Sequence, residues 1–387
     1  MRKYTSTMAL LISVVLLMAM VLVNQPDSLA QDQNLSGGGL TKDPSLLSQN
    51  ETFESKLLVS LDKDDAEKIP FVEADEEFQA VSTSALTTIG PRIFPILPGG
   101  VDHAAAGAGT ANAGFGTIRM RGVPPGSLVV RAFLYWGTIT NNPGFSATAI
   151  FNGVQVTGRL VGQSPQLLNC YILPGSPTFA VYRANVRMLI PPAINVDYSV
   201  SGLASAVTNG RDAFSCSFPF PPPQLPFPLG TSLVILYSHN TIPVASRTYL
   251  HEGVFTVTGN VTFTHNLSPV LPVHSLLKHT RLGGDGQVGC SLFSIGSATG
   301  ERTSIGDSLS PLTQIKGPGS TFNTDGDFNG SDGASLNQLW DTETNSFSSF
   351  NGAPGGSVIT PGVTQYQVQY SGVGDCFVPI VHLLTVR

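Results

Sequence analysis

Charged residues are scarce in this chain: they make up 12% of it, about half the share of an ordinary soluble protein. The acidic ones are concentrated near the start, because residues 31–80 hold twelve Asp or Glu and only four Lys. Residues 81–387 are nearly neutral as a result. Without a basic patch or stripe, the chain is not expected to bind nucleic acid.

The sequence also lacks the common enzyme motifs. It has no Gly-x-Ser-x-Gly elbow, phosphate loop or dinucleotide fingerprint. Residues 306–309, Gly-Asp-Ser-Leu, resemble an esterase motif, but that motif opens an α/β fold and here it lies late in a β-rich chain. His251, His265, His274 and His279 do not have helical zinc-site spacing, so we interpret them as isolated polar residues of strands and loops. We therefore expect a protein that is not an enzyme.

Only four cysteines occur, Cys170, Cys216, Cys290 and Cys376. Their spacings are far too wide for a Cys-x-x-Cys metal or redox motif. An even number in an exported chain favours two disulfides, and four cysteines allow three connectivities. We favour Cys170 with Cys216 and Cys290 with Cys376, because each bridge then closes loops around one sheet region and keeps two halves of the chain separate.

One long apolar run is present, at residues 8–23, and it follows Arg2 and Lys3. Residues 28–30, Ser-Leu-Ala, supply the small residues of a cleavage site, so residues 1–30 are predicted to be a signal peptide cut after Ala30. The alternative is an uncleaved anchor helix, since the run is close to the ~17 residues that can span a bilayer. Cleavage leaves no stable membrane span and predicts a secreted, extracellular or cell-envelope protein.

Residues 31–85 are polar and acidic, which indicates a flexible spacer or a pro-segment. From residue 86 onward the texture changes to short apolar runs separated by Gly, Pro and Asn, and the whole chain contains 41 Gly and 28 Pro. We predict that residues 86–387 form the folded domain, either as one unit or as two packed halves, 86–245 and 246–387.

The strongest strand signal is at residues 128–139, Leu-Val-Val-Arg-Ala-Phe-Leu-Tyr-Trp-Gly-Thr-Ile. Its β-branched and aromatic residues alternate so that both faces are largely apolar, which predicts a central strand covered on both sides. Many short strands and hardly any 3.6-residue periodicity predict an all-β fold, an antiparallel β-sandwich of jelly-roll or immunoglobulin-like type with Gly/Pro-rich loops and little helix. Further candidate strands are residues 116–121, 147–152, 154–160, 180–189, 195–202, 231–238, 247–251, 254–266, 288–295, 366–371 and 377–386.

Two loop signals accompany these strands. Asn152 and Gly153 stand between two candidate strands and favour a hairpin with a type I′ turn. The Pro-rich residues 218–228 are expected to run extended over the surface outside any ladder, because proline offers no N–H.

Several short motifs occur in a characteristic order at residues 132–137, 151–153, 156–158, 182–186, 198–202, 232–237, 283–286, 306–309 and 374–377. Their order resembles a family of secreted prokaryotic surface β-sandwich domains, and the likeness covers roughly residues 115–387. These domains have no assigned activity, and they often precede immunoglobulin-like repeats in envelope or adhesin-like proteins, although this sequence shows no such repeats. The resemblance implies a β-sandwich and an extracellular setting and no catalytic residues.

Residues 323–333 form an Asp/Asn/Gly-rich segment. Asp325, Asp327 and Asn329 alternate before a glycine, and Asp332 follows, so the segment could wrap oxygen ligands around a structural Ca²⁺. The match is partial, since the twelfth position is Leu336 rather than a bidentate Glu. The alternative is a turn cluster whose side chains bind their own backbone.

The two tryptophans are interpreted differently. Trp136 lies in the central strand and is expected in the core, whereas Trp340 lies beside the Asp-rich segment and is a weak candidate for an exposed ligand-binding residue. We expect an exported, non-enzymatic protein with a structural or adhesive role and with cell-envelope or extracellular glycans or proteins as partners. The alternatives are a carbohydrate-binding module that uses Trp340 and a sandwich-fold glycoside hydrolase, whose carboxylates would come from Glu252, Glu301, Asp341 and Glu343.

Overall fold

The structure is a computed structural model. It describes residues 87–89, 100–111, 113–164, 177–206, 224–257, 259–267, 276–284, 301–317, 319–320, 340–347, 358–360, 362–371 and 378–386. These residues belong to one compact unit, Gln79–Arg387. The expected signal peptide, the acidic spacer up to residue 85, the four cysteines, His274, the candidate strand at 288–295 and the candidate calcium segment lie outside the described residues and stay predictions.

The expected all-β fold is confirmed. In the described part of the chain, the helical segments are two short 3-10 turns, Pro143–Ser146 and Arg187–Leu189. The strands are β1 (Thr87–Ile89), β2 (Val101–Gly109), β3 (Gly116–Arg119), β4 (Leu128–Thr140), β5 (Thr148–Phe151), β6 (Val154–Thr157), β7 (Arg159–Ser164), β8 (Thr178–Asn185), β9 (Asp197–Ser201), β10 (Phe227–Ser238), β11 (Arg247–Glu252), β12 (Asn260–Asn266), β13 (Leu276–Gly284), β14 (Arg302–Gly306), β15 (Thr313–Lys316), β16 (Trp340–Ser346), β17 (Gln365–Ser371) and β18 (Val378–Val386).

Four antiparallel sheets arise from these strands. The inner N-terminal sheet has the order β2-β10-β4-β8-β7, and the outer N-terminal sheet has the order β3-β9-β5-β6. The inner C-terminal sheet has the order β1-β11-β18-β13-β16, and the outer C-terminal sheet has the order β12-β17-β14-β15. Apart from β1, the two N-terminal sheets use strands up to Ser238, and the two C-terminal sheets use strands from Arg247 onward.

Three buried cores separate the four sheets and define their stacking order. Side chains of the two N-terminal sheets form one core, which contains Trp136 and Tyr198. The inner core lies between the two inner sheets and contains Phe133 and Leu383. The outer C-terminal core lies between the two C-terminal sheets and contains Phe263. The described residues thus form two stacked sandwiches, whose inner sheets pack against each other across the inner core.

Strand β4 occupies the centre of the inner N-terminal sheet, between β10 and β8. Ala132, Leu134 and Trp136 enter the core on one side, whereas Phe133 and Tyr135 enter the core on the other. The prediction of a central strand covered on both faces is therefore confirmed. The strand is 13 residues long, and its last nine residues, 132–140, are all buried.

The Asn152-Gly153 hairpin is confirmed as well. The two residues join β5 to β6 with φ angles of 49° and 79°, and two successive positive φ angles are typical of a type I′ turn. The candidate strand at 154–160 is divided at Gly158, where an added Cβ would lie 2.4 Å from the Trp136 ring. A glycine is needed at this position because the indole leaves no room for a side chain.

The expectation for the Pro-rich segment is wrong at its end. Phe227 and Pro228 belong to β10, where Pro228 is paired with Thr138 beside a register shift. Proline is tolerated here because a bulge releases that position from the regular hydrogen-bond ladder. Residues 218–223 lie outside the described part.

Candidate functional site

Four histidines and two tyrosines meet between the inner and outer C-terminal sheets. The inner sheet contributes three of the histidines, and the outer sheet contributes the fourth and both tyrosines. All six side chains belong to residues that are at most 3% exposed. We call this group the histidine layer, and it consists of His251, His265, His279, His382, Tyr366 and Tyr370.

Strand register brings the inner-sheet histidines together. His251 in β11 is the cross-strand partner of His382 in β18. On the other side of β18, Arg281 in β13 is paired with the same His382. His279 precedes Arg281 by two residues and shares its face, because side chains alternate along a strand. The sequence places these residues far apart, and antiparallel pairing makes them neighbours.

A chain of contacts connects the two sheets through His382. Its Nδ1 atom lies 2.7 Å from His265 Nε2, and its Nε2 atom lies 2.6 Å from Tyr370 Oη. The His265 ring also stacks on His251, with ring centroids 4.2 Å apart. Both ring nitrogens of His382 are therefore engaged in hydrogen bonds that cross the interface.

Two members of the layer have unsatisfied polar atoms. Among the described residues, neither ring nitrogen of His279 nor the hydroxyl of Tyr366 has a hydrogen-bond partner. The His279 ring lies 5.7 Å from the His382 ring and 6.4 Å from the Tyr366 ring. A buried unsatisfied polar group costs about 1–3 kcal/mol. These unsatisfied groups therefore lower the stability of the interface.

Burial keeps the imidazoles uncharged at neutral pH. Desolvation lowers the pKa of His251 to about 3. Desolvation also lowers the pKa values of His279 and His382 well below the usual 6.5, and the neighbouring Arg281 guanidinium lowers them further. For His265, desolvation lowers the pKa in the same way, and the nearby His251 and His382 add to that effect.

A second set of polar residues lies at the same interface, around Arg281. Arg281 is buried, and its Nη1 donates to Asn345 Oδ1 at 2.7 Å. On the outer sheet, Lys316 Nζ lies 3.2 Å from Glu343 Oε2. Arg281 thus places a positive charge beside His279 and His382, whereas the charge of Lys316 is paired with the Glu343 carboxylate.

The inner core holds a different polar cluster, centred on Glu252. The Glu252 side chain is 6% exposed. It accepts a hydrogen bond from Tyr135 Oη at 2.8 Å and lies 2.7 Å from Arg159 and 2.9 Å from Arg183. The Arg183 guanidinium also lies over the Phe133 ring, 4.7 Å from its centroid. Every charge in this cluster has a partner. The cluster joins the two inner sheets, because Glu252 belongs to one of them and its partners belong to the other.

His103 joins the same two sheets at another point. Its Nδ1 lies 2.7 Å from Thr385 Oγ1, and its Nε2 lies 2.8 Å from Thr280 Oγ1. The adjacent Asp102 carboxylate accepts from Lys278 Nζ at 2.8 Å. Desolvation lowers the pKa of His103 to about 3, although the Asp102 charge acts in the opposite direction. His103 is therefore a neutral bridge between strands of the two sandwiches.

The expectation that Trp340 offers an exposed ligand platform is wrong. Trp340 is fully buried in the inner core, and its Nε1 donates to Ser232 Oγ at 2.7 Å. The indole packs so closely on Gly230 that an added Cβ would lie 2.2 Å from its ring. Tryptophan is suited to this position because a neighbouring hydroxyl accepts the indole N–H.

The interpretation of the histidines as isolated residues is wrong for three of them. His251, His265 and His279 belong to one cluster, whose fourth histidine, His382, sequence reasoning missed together with Tyr366 and Tyr370. A signal was present in β18, Val-Pro-Ile-Val-His-Leu-Leu-Thr-Val, which is buried along its whole length. A histidine inside such an apolar run needs a buried polar partner.

The Gly-Asp-Ser-Leu segment forms a turn. Asp307 Oδ1 accepts backbone N–H bonds from Leu309 at 2.7 Å and from Ser310 at 3.0 Å, and Oδ2 accepts one from Thr360. These bonds lower the pKa of Asp307 against the opposing effect of burial. The aspartate therefore ties the turn after β14 to residue 360, which is a structural use of the motif.

Of the four carboxylates considered for glycoside hydrolysis, Glu252, Glu301 and Asp341 are buried, and Glu343 is paired with Lys316. Glu252 is held by two arginines, and Glu301 and Asp341 are 0% exposed. Within the described ranges, no group of three or more His, Cys, Asp or Glu has the geometry to hold a metal ion. A search of the same residues finds no helix that is long and apolar enough to cross a membrane.

Comparisons with known proteins add little. No family model matches the chain, and no curated protein matches it. Among solved structures, a chain from the 3.5 Å cryo-EM structure of the Sputnik virophage aligns with 80% of this chain and 90% of its own length. That alignment has 10% sequence identity and a TM-score of 0.17, which is too low to support an argument.

Proposed function

We propose that this protein is an exported, non-enzymatic structural or adhesive component of the cell envelope or the extracellular space. The observation that supports the proposal most directly is that buried ionisable groups connect the sheets to one another. Glu252 ties the two inner sheets together, and the histidine layer lies between the two C-terminal sheets. These contacts join the sheets into a layered scaffold, and loops carried by a rigid scaffold are the usual sites of binding.

The location part of the proposal rests on the sequence of residues 1–30, with its positive start, apolar run and small-residue cleavage site. A stack of four sheets with few surface charges suits an exported protein that contacts polymers or other envelope proteins. The partners in this proposal are glycans or proteins of the envelope or the matrix.

Adhesion can be tested with residues 31–387 on immobilised envelope fractions and extracellular polysaccharides, with biolayer interferometry as the measurement. The folded protein should be retained, and the same protein unfolded by heat should not be. Glycan and ester hydrolysis assays run alongside. Turnover that Glu252→Gln abolishes would overturn the non-enzymatic assignment, and equal retention of folded and unfolded protein would overturn the adhesive one.

The sugar-binding alternative depended on an exposed Trp340, and this indole is buried. If the protein binds a glycan array, the signal should remain the same in a folded Trp340→Phe variant. Loss of the signal in a variant with unchanged circular dichroism would restore the alternative.

A further inference from the structure

We propose that the histidine layer makes the interface between the two C-terminal sheets acid-sensitive. At neutral pH the outer C-terminal sheet stays packed on the inner one, and under mildly acidic conditions this interface opens. The geometry behind this inference is the concentration of four buried imidazoles at one sheet-to-sheet interface. The inference concerns the conformation of the scaffold and is independent of what the scaffold binds.

Burial and a neighbouring positive charge oppose an added proton on the layer. From β13, Arg281 already places a buried positive charge next to His279 and His382. Lys316 in β15 is also buried at this interface, and its charge is paired with Glu343 in β16. The tyrosines of β17 contribute neutral hydroxyls. Other buried carboxylates of adjoining segments are Glu252, Glu301, Asp307 and Asp341, of which Glu252 faces the inner core.

The direction of the pH effect follows from proton binding. The pKa values of His251, His265, His279 and His382 are lowered in the closed structure. The open form, with imidazoles in water near pKa 6.5, therefore binds more protons below that pH. The stability of the closed interface is therefore highest above about pH 6.5. It falls progressively as the pH drops toward the lowered pKa values of the closed form, about 3 for His251.

The other interfaces provide internal controls. The core between the two N-terminal sheets is built from apolar and aromatic side chains such as Trp136, Phe151 and Tyr198. Among the described residues, the inner core, on the opposite face of the inner C-terminal sheet, holds one buried imidazole with a lowered pKa, His103 at about 3, against four in the histidine layer. Acid should thus act first on the outer C-terminal sheet and leave the outer N-terminal sheet closed.

Hydrogen–deuterium exchange of the full chain, in buffer with EDTA, measures the opening of each sheet at pH 7.5 and 5.5 after correction for intrinsic exchange. One pH unit below the free imidazole pKa, each histidine favours the open form about tenfold, or up to ~10⁴-fold for four. The opening constant of β12, β14 and β17 should rise steeply, and that of β3, β5 and β9 should change little.

Two variants identify the responsible groups. His279→Leu and His251→Phe should each reduce the acid-induced rise by about tenfold, since each removes one proton-binding site. In His251→Phe, the phenyl ring can still stack on His265. This variant therefore provides a second test if His279→Leu fails to fold at pH 7.5. As a matched control, His239→Gln, in a turn outside the layer, should retain the full rise.

Three results would overturn the inference. The first is an opening constant of the outer C-terminal sheet that stays the same between pH 7.5 and 5.5. The second is an equal rise in the two outer sheets. The third is a full acid response in both histidine variants.

Discussion

At the scale of single residues, buried polar side chains connect the layers of this protein, and their energetic value depends on their partners. Glu252 shows this dependence most clearly, because its carboxylate is buried and is held by Arg159, Arg183 and Tyr135. Removing the carboxylate leaves the largely buried Arg183 charge without its partner, whereas the Arg159 side chain is 53% exposed.

Glu252→Ala should therefore lower the free energy of unfolding by about 3–5 kcal/mol, measured by urea denaturation at pH 7.5. The matched control is Arg121→Ala, which breaks the Arg121–Asp197 pair, where both side chains are at least half exposed. That change should cost no more than about 1 kcal/mol. Similar losses in the two variants would contradict the structural role assigned to Glu252.

The candidate calcium segment allows a second prediction at this scale. If Asp325, Asp327, Asn329 and Asp332 bind Ca²⁺, the ion stabilises the folded protein by about 2.7 kcal/mol at a hundredfold excess over its dissociation constant. Thermal melts with calcium and with chelator should then differ, and Asp325→Ala combined with Asp327→Ala should abolish the difference. Identical melts of the unmodified protein would favour the turn-cluster interpretation.

At the scale of secondary-structure elements, strands with a strong intrinsic pattern were predictable, and strands formed by their neighbours were not. β4 was found because its run of β-branched and aromatic residues makes both faces of the strand largely apolar. β2, Val-Asp-His-Ala-Ala-Ala-Gly-Ala-Gly, was missed because small residues have low β-propensity, and it forms a strand through its pairing with β10. β13 and β16 were missed because their buried faces carry polar side chains, including Arg281 and Asn345.

The candidate site also depends on which strands are neighbours in the fold. Composition and spacing showed that no helical zinc motif was present, but they could not show that β11, β13 and β18 are neighbours. The histidine layer exists only through that strand order, together with the facing β12 and β17. Tertiary pairing is the information that a reading of local patterns lacks.

The hairpin between β5 and β6 gives a prediction about an element. Gly153 has a φ angle of 79° and no atom within 4 Å of an added Cβ. Gly153→Ala should thus cost about 1–2 kcal/mol through backbone conformation alone. Urea denaturation measures the loss.

Gly259→Ala is the matched control for the hairpin, because Gly259 also has open space around it but no positive φ angle. There the substitution should be neutral or stabilising by up to about 1 kcal/mol, since alanine restricts the unfolded chain. Equal effects at the two positions would show that the turn conformation does not limit stability.

At the scale of the whole molecule, the two sandwiches share the inner core, and this sharing should couple their unfolding at neutral pH. The inner core draws buried side chains from both halves of the chain, including Phe133, Val234, Leu250 and Leu383. If one sandwich unfolds, it exposes the inner face of the other, so neither half can open completely without a loss of stability in its neighbour.

Exchange along a urea gradient at pH 7.5 should therefore give one common midpoint for β3, β5 and β9 and for β12, β14 and β17. Leu383→Ala in the inner core should lower both sets of midpoints together, with a cost of about 2–5 kcal/mol. Ile305→Ala, equally buried in the outer C-terminal core, removes comparable volume and should shift both sets as well if unfolding is cooperative. Two separated midpoints at pH 7.5 would instead mean that the sandwiches unfold independently, and Ile305→Ala would then affect only the C-terminal set.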